Sequence, residues 1–260
     1  MITLKKEADM VNICHPQWFG RVEYETALSL QKELAARRAA QQIPNTLLLM
    51  EHPQTYTVGN DGHRDYLLAN QEELARLKVA YHRVNRGGSV AYHGPGQLVC
   101  YPILNLKEQG LDYHRYLKML ESVIIHTLAT FKVRAFRQRG LPGVWVCTDN
   151  TIPHSSEWLP PDSNIAQIAA IGVKVDQNQV TSHGFFININ PDLSFFDMIV
   201  PRGLQGCRIT SLSEALNKSI EIGSVLEPVI QSFCEIFEME SVLTETIPPS
   251  LSLSSAEVSA

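Results

Sequence analysis

The sequence is poor in the features that mark several common function classes. No apolar run approaches the roughly 20 residues needed to cross a bilayer, so no membrane span is expected. Met1 to Asn12 are mixed and charged and lack the apolar core of a secretory signal. Basic residues are in deficit, 22 Lys and Arg against 27 Asp and Glu for a net charge of −5. A general nucleic-acid binder needs the opposite balance to neutralise phosphates. The five cysteines (Cys14, Cys100, Cys147, Cys207 and Cys234) are odd in number and form no CxxC pair. That argues against a disulfide framework or a zinc site and for reduced thiols in a cytoplasmic setting. Neither GxxxxGK[ST] nor GxGxxG occurs, so no phosphate or dinucleotide loop is indicated. No internal repeat is visible, and no cofactor or metal is called for.

What is present is an ordinary globular composition, 44% hydrophobic and 19% charged over 260 residues, enough to bury a sizeable core. Residues 23–41 are rich in Ala, Leu, Glu and Arg with apolar residues at helical spacing, and Pro44 follows. Helical patterns recur at 70–78, 114–131 and 222–237. Short apolar runs at 46–52, 98–106, 143–146, 168–175 and 185–189 read as strands. Helices interspersed with strands predict an α/β (α+β) fold, a mixed sheet flanked by helices. The polar segment 148–164 is long for a hairpin connection and is expected to be a mobile excursion. Residues 1–240 are expected to form a single catalytic domain and 241–260 a disordered Ser-rich tail.

Three stretches carry chemical potential. The first is Arg86-Gly87-Gly88-Ser89-Val90-Ala91-Tyr92-His93, continuing Gly-Pro-Gly-Gln97. Adjacent glycines let a backbone approach a ligand closely, and Arg86 supplies a fixed cation with a planar donor fork. The same pattern is also that of a plain turn between strands. The second stretch is Ala169-Ala170-Ile171-Gly172, followed by His183-Gly184-Phe185-Phe186. Small residues along a strand leave a groove suited to a thin apolar ligand. His183 is either an acid–base group or a satisfied structural histidine. The third is Ile199-Val200-Pro201-Arg202-Gly203, ending at Thr210-Ser211, where Ser211 can cap the helix that follows.

Taken together, RGGSVAYHGPGQLVCYPIL, AQIAAIGVKV and TSHGFFININPDLSFFDMIVPRG resemble the motifs of the octanoyl-[acyl-carrier-protein]:protein N-octanoyltransferase family, in the same order and with similar gaps. EHPQTYTVG, GLDYHRYLKMLE and LPGVWV match as well, so the resemblance spans about residues 20–215. It implies a biotin/lipoate protein ligase-like catalytic domain. It further implies transfer of an octanoyl or lipoyl group from octanoyl-acyl carrier protein to a lysine on lipoyl domains, those of 2-oxoacid dehydrogenases and of the glycine-cleavage H protein. By the same resemblance Arg86 to His93 line the acyl pocket, Ala170, Ile171 and Gly172 form one wall, and Gly184, Phe185 and Phe186 another. An adenylating lipoate ligase is the enzymatic rival, and a non-catalytic homologue binding acyl carrier protein or lipoyl domains is the rival from another class.

The sequence departs from the family at its reactive pair. Arg202 stands where the family has its cysteine nucleophile, and Gln167 where it has the partner lysine. Arginine cannot act as a nucleophile, and glutamine brings no charge to stabilise a thiolate. Four readings stay open. Another thiol, Cys207 or Cys147, serves instead, although an extended chain puts Cys207 about 17 Å from Arg202. The acceptor lysine attacks the thioester directly. The chain binds without catalysing. Or Lys174 replaces the lost lysine, although seven residues along a regular strand it faces the opposite side.

Overall fold

The computed structural model describes residues 12–148, 164–200 and 207–242. Arg202, the interior of the 148–164 excursion and nearly all of the Ser-rich tail lie outside the described residues.

The frame is an eight-stranded mixed sheet. Its strands are β1 (Ile13–Arg21), β2 (Asn45–Glu51), β6 (Gln97–Ile103), β7 (Ala135–Gln138), β8 (Leu141–Cys147), β9 (Ile165–Val175), β10 (Thr181–Asn188) and β11 (Glu240–Ser241). They run in the order β11-β1-β2-β6-β10-β9-β8-β7. A smaller sheet orders β4 (Ala80–Arg83), β3 (Thr55–Val58) and β5 (Val90–His93). The helices are α1 (Tyr24–Ala39), α2 (Gln71–Arg76), α3 (Tyr113–Thr130), α4 (Leu212–Leu216) and α5 (Gly223–Phe237).

Each face of the large sheet has its own core. On one face α3 and α5 pack over Cys100, Ile168, Ala169, Ile171, Val173 and Phe185. On the other, α1 and the small sheet enclose Val99, Tyr101, Phe186 and Phe196. Burial on both sides explains why the central strands read as unbroken apolar runs. Local signals agree: the Asp112 side chain caps α3 by accepting from the Arg115 N–H at 2.8 Å, and Asn70 and Glu73 form a reciprocal capping box on α2.

Two features depart from the pattern read off the chain. The stretch Arg86–Gln97 is not a plain turn, since its centre, Val90–His93, is strand β5. Strand β9 carries a bulge. Val144 pairs with Ala169, but the next residue, Trp145, pairs with Gln167, so Ile168 is the extra residue. Ile168 and Ala169 therefore both face the α3/α5 core. The bulge reverses the alternation, and Gln167 falls in phase with Ala170 and Gly172. Lys174 shares that face with Gln167, contrary to the expectation from a regular strand. It stands seven residues away, about 20 Å along the strand, and so cannot take the lost lysine's place beside Gln167.

Candidate functional site

Between the large sheet and the small one runs a slot of about 690 Å³, its mouth included. Its floor is Ala170, Gly172, Gly184 and Phe186 on β9 and β10 with Val99 and Tyr101 on β6. Its roof is Arg86, Gly88 to Ala91, and His93. Phe196, Ile199 and Ile209 complete the apolar wall. Glycines keep it open. A Cβ on Gly172 would lie 2.9 Å from the Gly87 carbonyl oxygen and 3.2 Å from Arg86 Cδ, so the roof loop could not close this far. A Cβ on Gly184 would meet the Cys100 carbonyl oxygen at 2.0 Å, which the sheet cannot accommodate.

A directional chain of hydrogen bonds fixes the roof to the floor. Arg86 donates from Nη2 to the Thr57 carbonyl at 3.0 Å and to Thr57 Oγ1 at 2.7 Å, and from Nη1 to the Gly87 carbonyl at 3.0 Å. Thr57 Oγ1 lies 3.3 Å from His93 Nε2, and His93 Nδ1 lies 2.8 Å from Gln97 Oε1. Gln97 Nε2 donates to Asn188 Oδ1 at 3.0 Å, and Asn188 Nδ2 to the Thr210 carbonyl at 3.0 Å. Every bond can be satisfied when His93 is neutral with its proton on Nδ1. Burial, together with the nearby His52 and Arg86, holds His93 well below the usual histidine range. Burial likewise pulls His52 and His183 down to about 4, aided at His52 by His82 and at His183 by Arg86, Lys174 and Lys32. Arg86 is buried with no carboxylate at ion-pair distance among the described residues, and desolvation lowers its pKa, partly offset by Tyr24, Tyr101 and Asp61.

The slot also holds unpaired polar atoms. Gln167 Nε2, Ser89 Oγ and His183 Nδ1 are buried in residues lining it and have no hydrogen-bond partner among the described residues. Such atoms cost about 1–3 kcal/mol each unless a ligand satisfies them. His183 is also held at φ 55°, a backbone region that non-glycine residues rarely adopt. Gln167 is anchored to the segment 208–210 through both backbone groups, its N–H donating to the Arg208 carbonyl at 2.8 Å and its carbonyl accepting from the Thr210 N–H at 3.0 Å.

The structure thus gathers Arg86, Gly88, Ser89, Val90, Ala91, His93, Ala170, Ile171, Gly172, Gly184, Phe185, Phe186 and Gln167 around one slot. Gly87 and Tyr92 stand apart from the lining. The Gly87 N–H is tied to the Val173 carbonyl at 2.9 Å. The Tyr92 ring stacks on Phe195 with centroids 4.9 Å apart, behind the wall. Tyr24, Tyr101 and Phe196 line the slot without having been singled out in the sequence, because they come from elements whose approach is tertiary. All five cysteines fall among the described residues, and none lines the slot. Cys147 instead borders a second trough, lined also by Lys132, Arg134, Arg208, Thr210 and Glu214. Among the described residues no three His, Cys, Asp or Glu side chains gather as they would around a metal, and no helix is long and apolar enough to cross a membrane.

Comparison with known proteins adds a second line. Residues 23–234 match the family described as the lipoyl protein ligase A/B catalytic domain. An octanoyltransferase of Chloroflexus aurantiacus is 41% identical over 223 residues, covering 86% of this chain and 93% of that protein. One from Geobacter metallireducens is 40% identical over 230 residues, covering 88% and 96%. Among solved structures, a bi-partite lipoate protein ligase from Thermoplasma acidophilum superposes with a TM-score of 0.67 at 13% identity, covering 92% of this chain and 88% of that one. Lipoate-protein ligase A bound with ATP superposes with a TM-score of 0.63 at 13% identity, covering 92% and 90%. At such identities the two structures speak to the fold alone, which is the lipoate-ligase fold expected from the sequence.

Proposed function

The chain belongs to the lipoyl protein ligase A/B catalytic family, and from that premise we propose that it is an octanoyltransferase of protein lipoylation. The observation that carries this reading is the slot itself, largely apolar with polar groups at Arg86, Ser89, His93, Gln167 and His183, in a chain 41% identical to a named octanoyltransferase. Its acyl donor is octanoyl-acyl carrier protein, and its acceptors are lysines on the lipoyl domains of 2-oxoacid dehydrogenases and glycine-cleavage H protein. Residues 1–240 act as one catalytic domain, a reading supported by two cores that share a single sheet. Arg86, Gly88 to Ala91 and His93 form the roof over the acyl chain, Ala170 to Gly172 and Gly184 to Phe186 its floor. An octanoyl group buries about seven carbons, which at about 0.8 kcal/mol each contribute on the order of 5 kcal/mol. The phosphate of the donor's pantetheine arm is assigned to the trough of Lys132, Arg134 and Arg208, whose lining includes Thr210, the residue bonded to the Gln167 carbonyl.

The test is incubation with octanoyl-acyl carrier protein and an apo lipoyl domain, read by intact mass. The expected outcome is a lipoyl domain heavier by one octanoyl group. A domain that stays at its apo mass while the protein binds the donor overturns the reading.

A further inference from the structure

Resting on that assignment, we propose that this protein transfers the acyl group in a single displacement, with the Gln167 side-chain amide as the donor that holds the thioester carbonyl oxygen. Three independent observations lead there. No cysteine of the chain lines the slot, although all five are located: Cys14, Cys100 and Cys234 are buried in the fold, Cys147 borders the other trough, and Cys207 Sγ lies 4.0 Å from the Arg208 carbonyl. The Ile168 bulge turns Gln167 into the slot, where regular alternation would have buried it against α3 and α5. And Gln167, 5% exposed and lining the slot, carries a buried amide N–H with no partner while its backbone is clamped to Arg208 and Thr210. A clamped, desolvated donor with no protein partner is the arrangement that stabilises developing negative charge without reorganisation.

The chemistry closes without a protein nucleophile. The neutral ε-amine of the acceptor lysine attacks the thioester carbonyl carbon, and the C–N bond forms. The carbonyl π pair moves to oxygen, where the Gln167 Nε2–H binds it. On collapse the C–S bond breaks and the electron pair leaves on the carrier's sulfur. That thiolate takes the proton released by the new amide nitrogen, so the products are an octanoyl amide and the carrier's free thiol. A charged lysine at position 167 serves to make a thiolate from a neighbouring cysteine. With no cysteine in the slot, a neutral donor to the carbonyl is sufficient.

The experiment uses the full chain with octanoyl-acyl carrier protein and apo lipoyl domain. Wild type incubated with the donor alone is expected to show no covalent octanoyl adduct, and a variant with all five cysteines replaced by serine or alanine is expected to retain transfer. Gln167→Met, close in shape and without a donor, is expected to lower kcat by about 10²–10³ while donor KM changes less than severalfold, and Gln167→Glu is expected to do the same. The carbonyl stretch of bound octanoyl thioester is expected at lower frequency on wild type than on Gln167→Met, a readout that a purely structural residue would not move. An acyl-enzyme, loss of transfer in a folded cysteine-free variant, or full kcat in Gln167→Met each overturns the proposal while leaving the transferase assignment standing. Absence of transfer in wild type overturns the assignment instead. If Gln167→Met does not fold, an unshifted carbonyl stretch on wild type is the overturning result.

Discussion

At the scale of single residues, the resemblance implies that Gln167 and Arg202 stand at the positions of the family's lysine and cysteine, Gln167 in the slot and Arg202 outside the described residues. Both positions are visible in the sequence. What is not visible is whether a second thiol moves in, since that depends on which strands bring their side chains to the slot. Restoring the pair is informative. Gln167→Lys with Arg202→Cys is expected to create a covalent octanoyl adduct that wild type lacks, detected by intact mass after incubation with donor. Arg202→Cys alone is expected to give far less, because a thiol without a nearby cation stays mostly protonated near its usual pKa of about 8.5. The buried histidines make a separate prediction. In the unfolded chain they take up protons near a pKa of about 6.5, whereas His52 and His183 in the fold resist until about 4. Between those values the unfolded state binds more protons, so stability declines as pH falls through the window. The slope approaches about 1.4 kcal/mol per pH unit for each ring. Urea midpoints are therefore expected to hold from pH 8 to 7 and to drop between pH 6 and 5. His52→Gln is expected to reduce that drop.

At the scale of elements, segments with a clear helical period or an unbroken apolar run are readable, and those with neither are not. Helices α1, α3 and α5 follow from apolar spacing, and β2, β6 and β9 from apolar runs bounded by turn residues. Strand β1 escaped because Cys14-His-Pro-Gln shows no alternation. It is a strand because it pairs in parallel with β2 and β11. The bulge at Ile168 escaped for a sharper reason. Nothing local distinguishes Ile168 from its neighbours, and the extra residue exists because β8 and Arg208–Thr210 hold Gln167 from both sides. The glycines yield a contrast in mutational effect. Gly184→Ala puts a methyl 2.0 Å from a backbone oxygen in the adjacent strand, and overpacking of this kind costs at least about 1–3 kcal/mol. Thermal unfolding is expected to show it. Gly172→Ala meets the Gly87 carbonyl oxygen at 2.9 Å and Arg86 Cδ at 3.2 Å, a milder clash that the roof loop must absorb, so it is expected to cost less stability than Gly184→Ala while raising the donor KM.

For the whole molecule, charge is distributed against its average. The chain carries a net charge of −5, yet Lys132, Arg134 and Arg208 stand together around the second trough with a single acid, Glu214. Net charge read from the sequence therefore said nothing about the local field a phosphate-bearing donor would meet. Lys132→Glu with Arg134→Glu is expected to raise the donor KM about tenfold at low salt, roughly 1.4 kcal/mol of lost attraction, and to leave kcat nearly unchanged. The difference from wild type is expected to shrink as ionic strength rises, because screening shortens to about 3 Å at 1 M salt.

The chain of bonds from Arg86 to Thr210 has one further consequence, for the movement of protons. Each member donates in the same sense, from the guanidinium through Thr57, His93, Gln97 and Asn188 to a backbone carbonyl. A Grotthuss wire needs sites able to receive a proton on one side and release it on the other. Here the head is a permanent cation, the tail is a carbonyl, and two links are amides that do not exchange protons at neutral pH. The network holds shape and conducts nothing. With no proton path through this network, the acceptor lysine is expected to lose its proton to solvent before it enters. The transfer rate at subsaturating acceptor is expected to climb about tenfold per pH unit below the lysine's own pKa of about 10.4, with no inflection near neutrality. A plateau setting in near pH 6 to 7 would show that a group within the protein takes that proton instead.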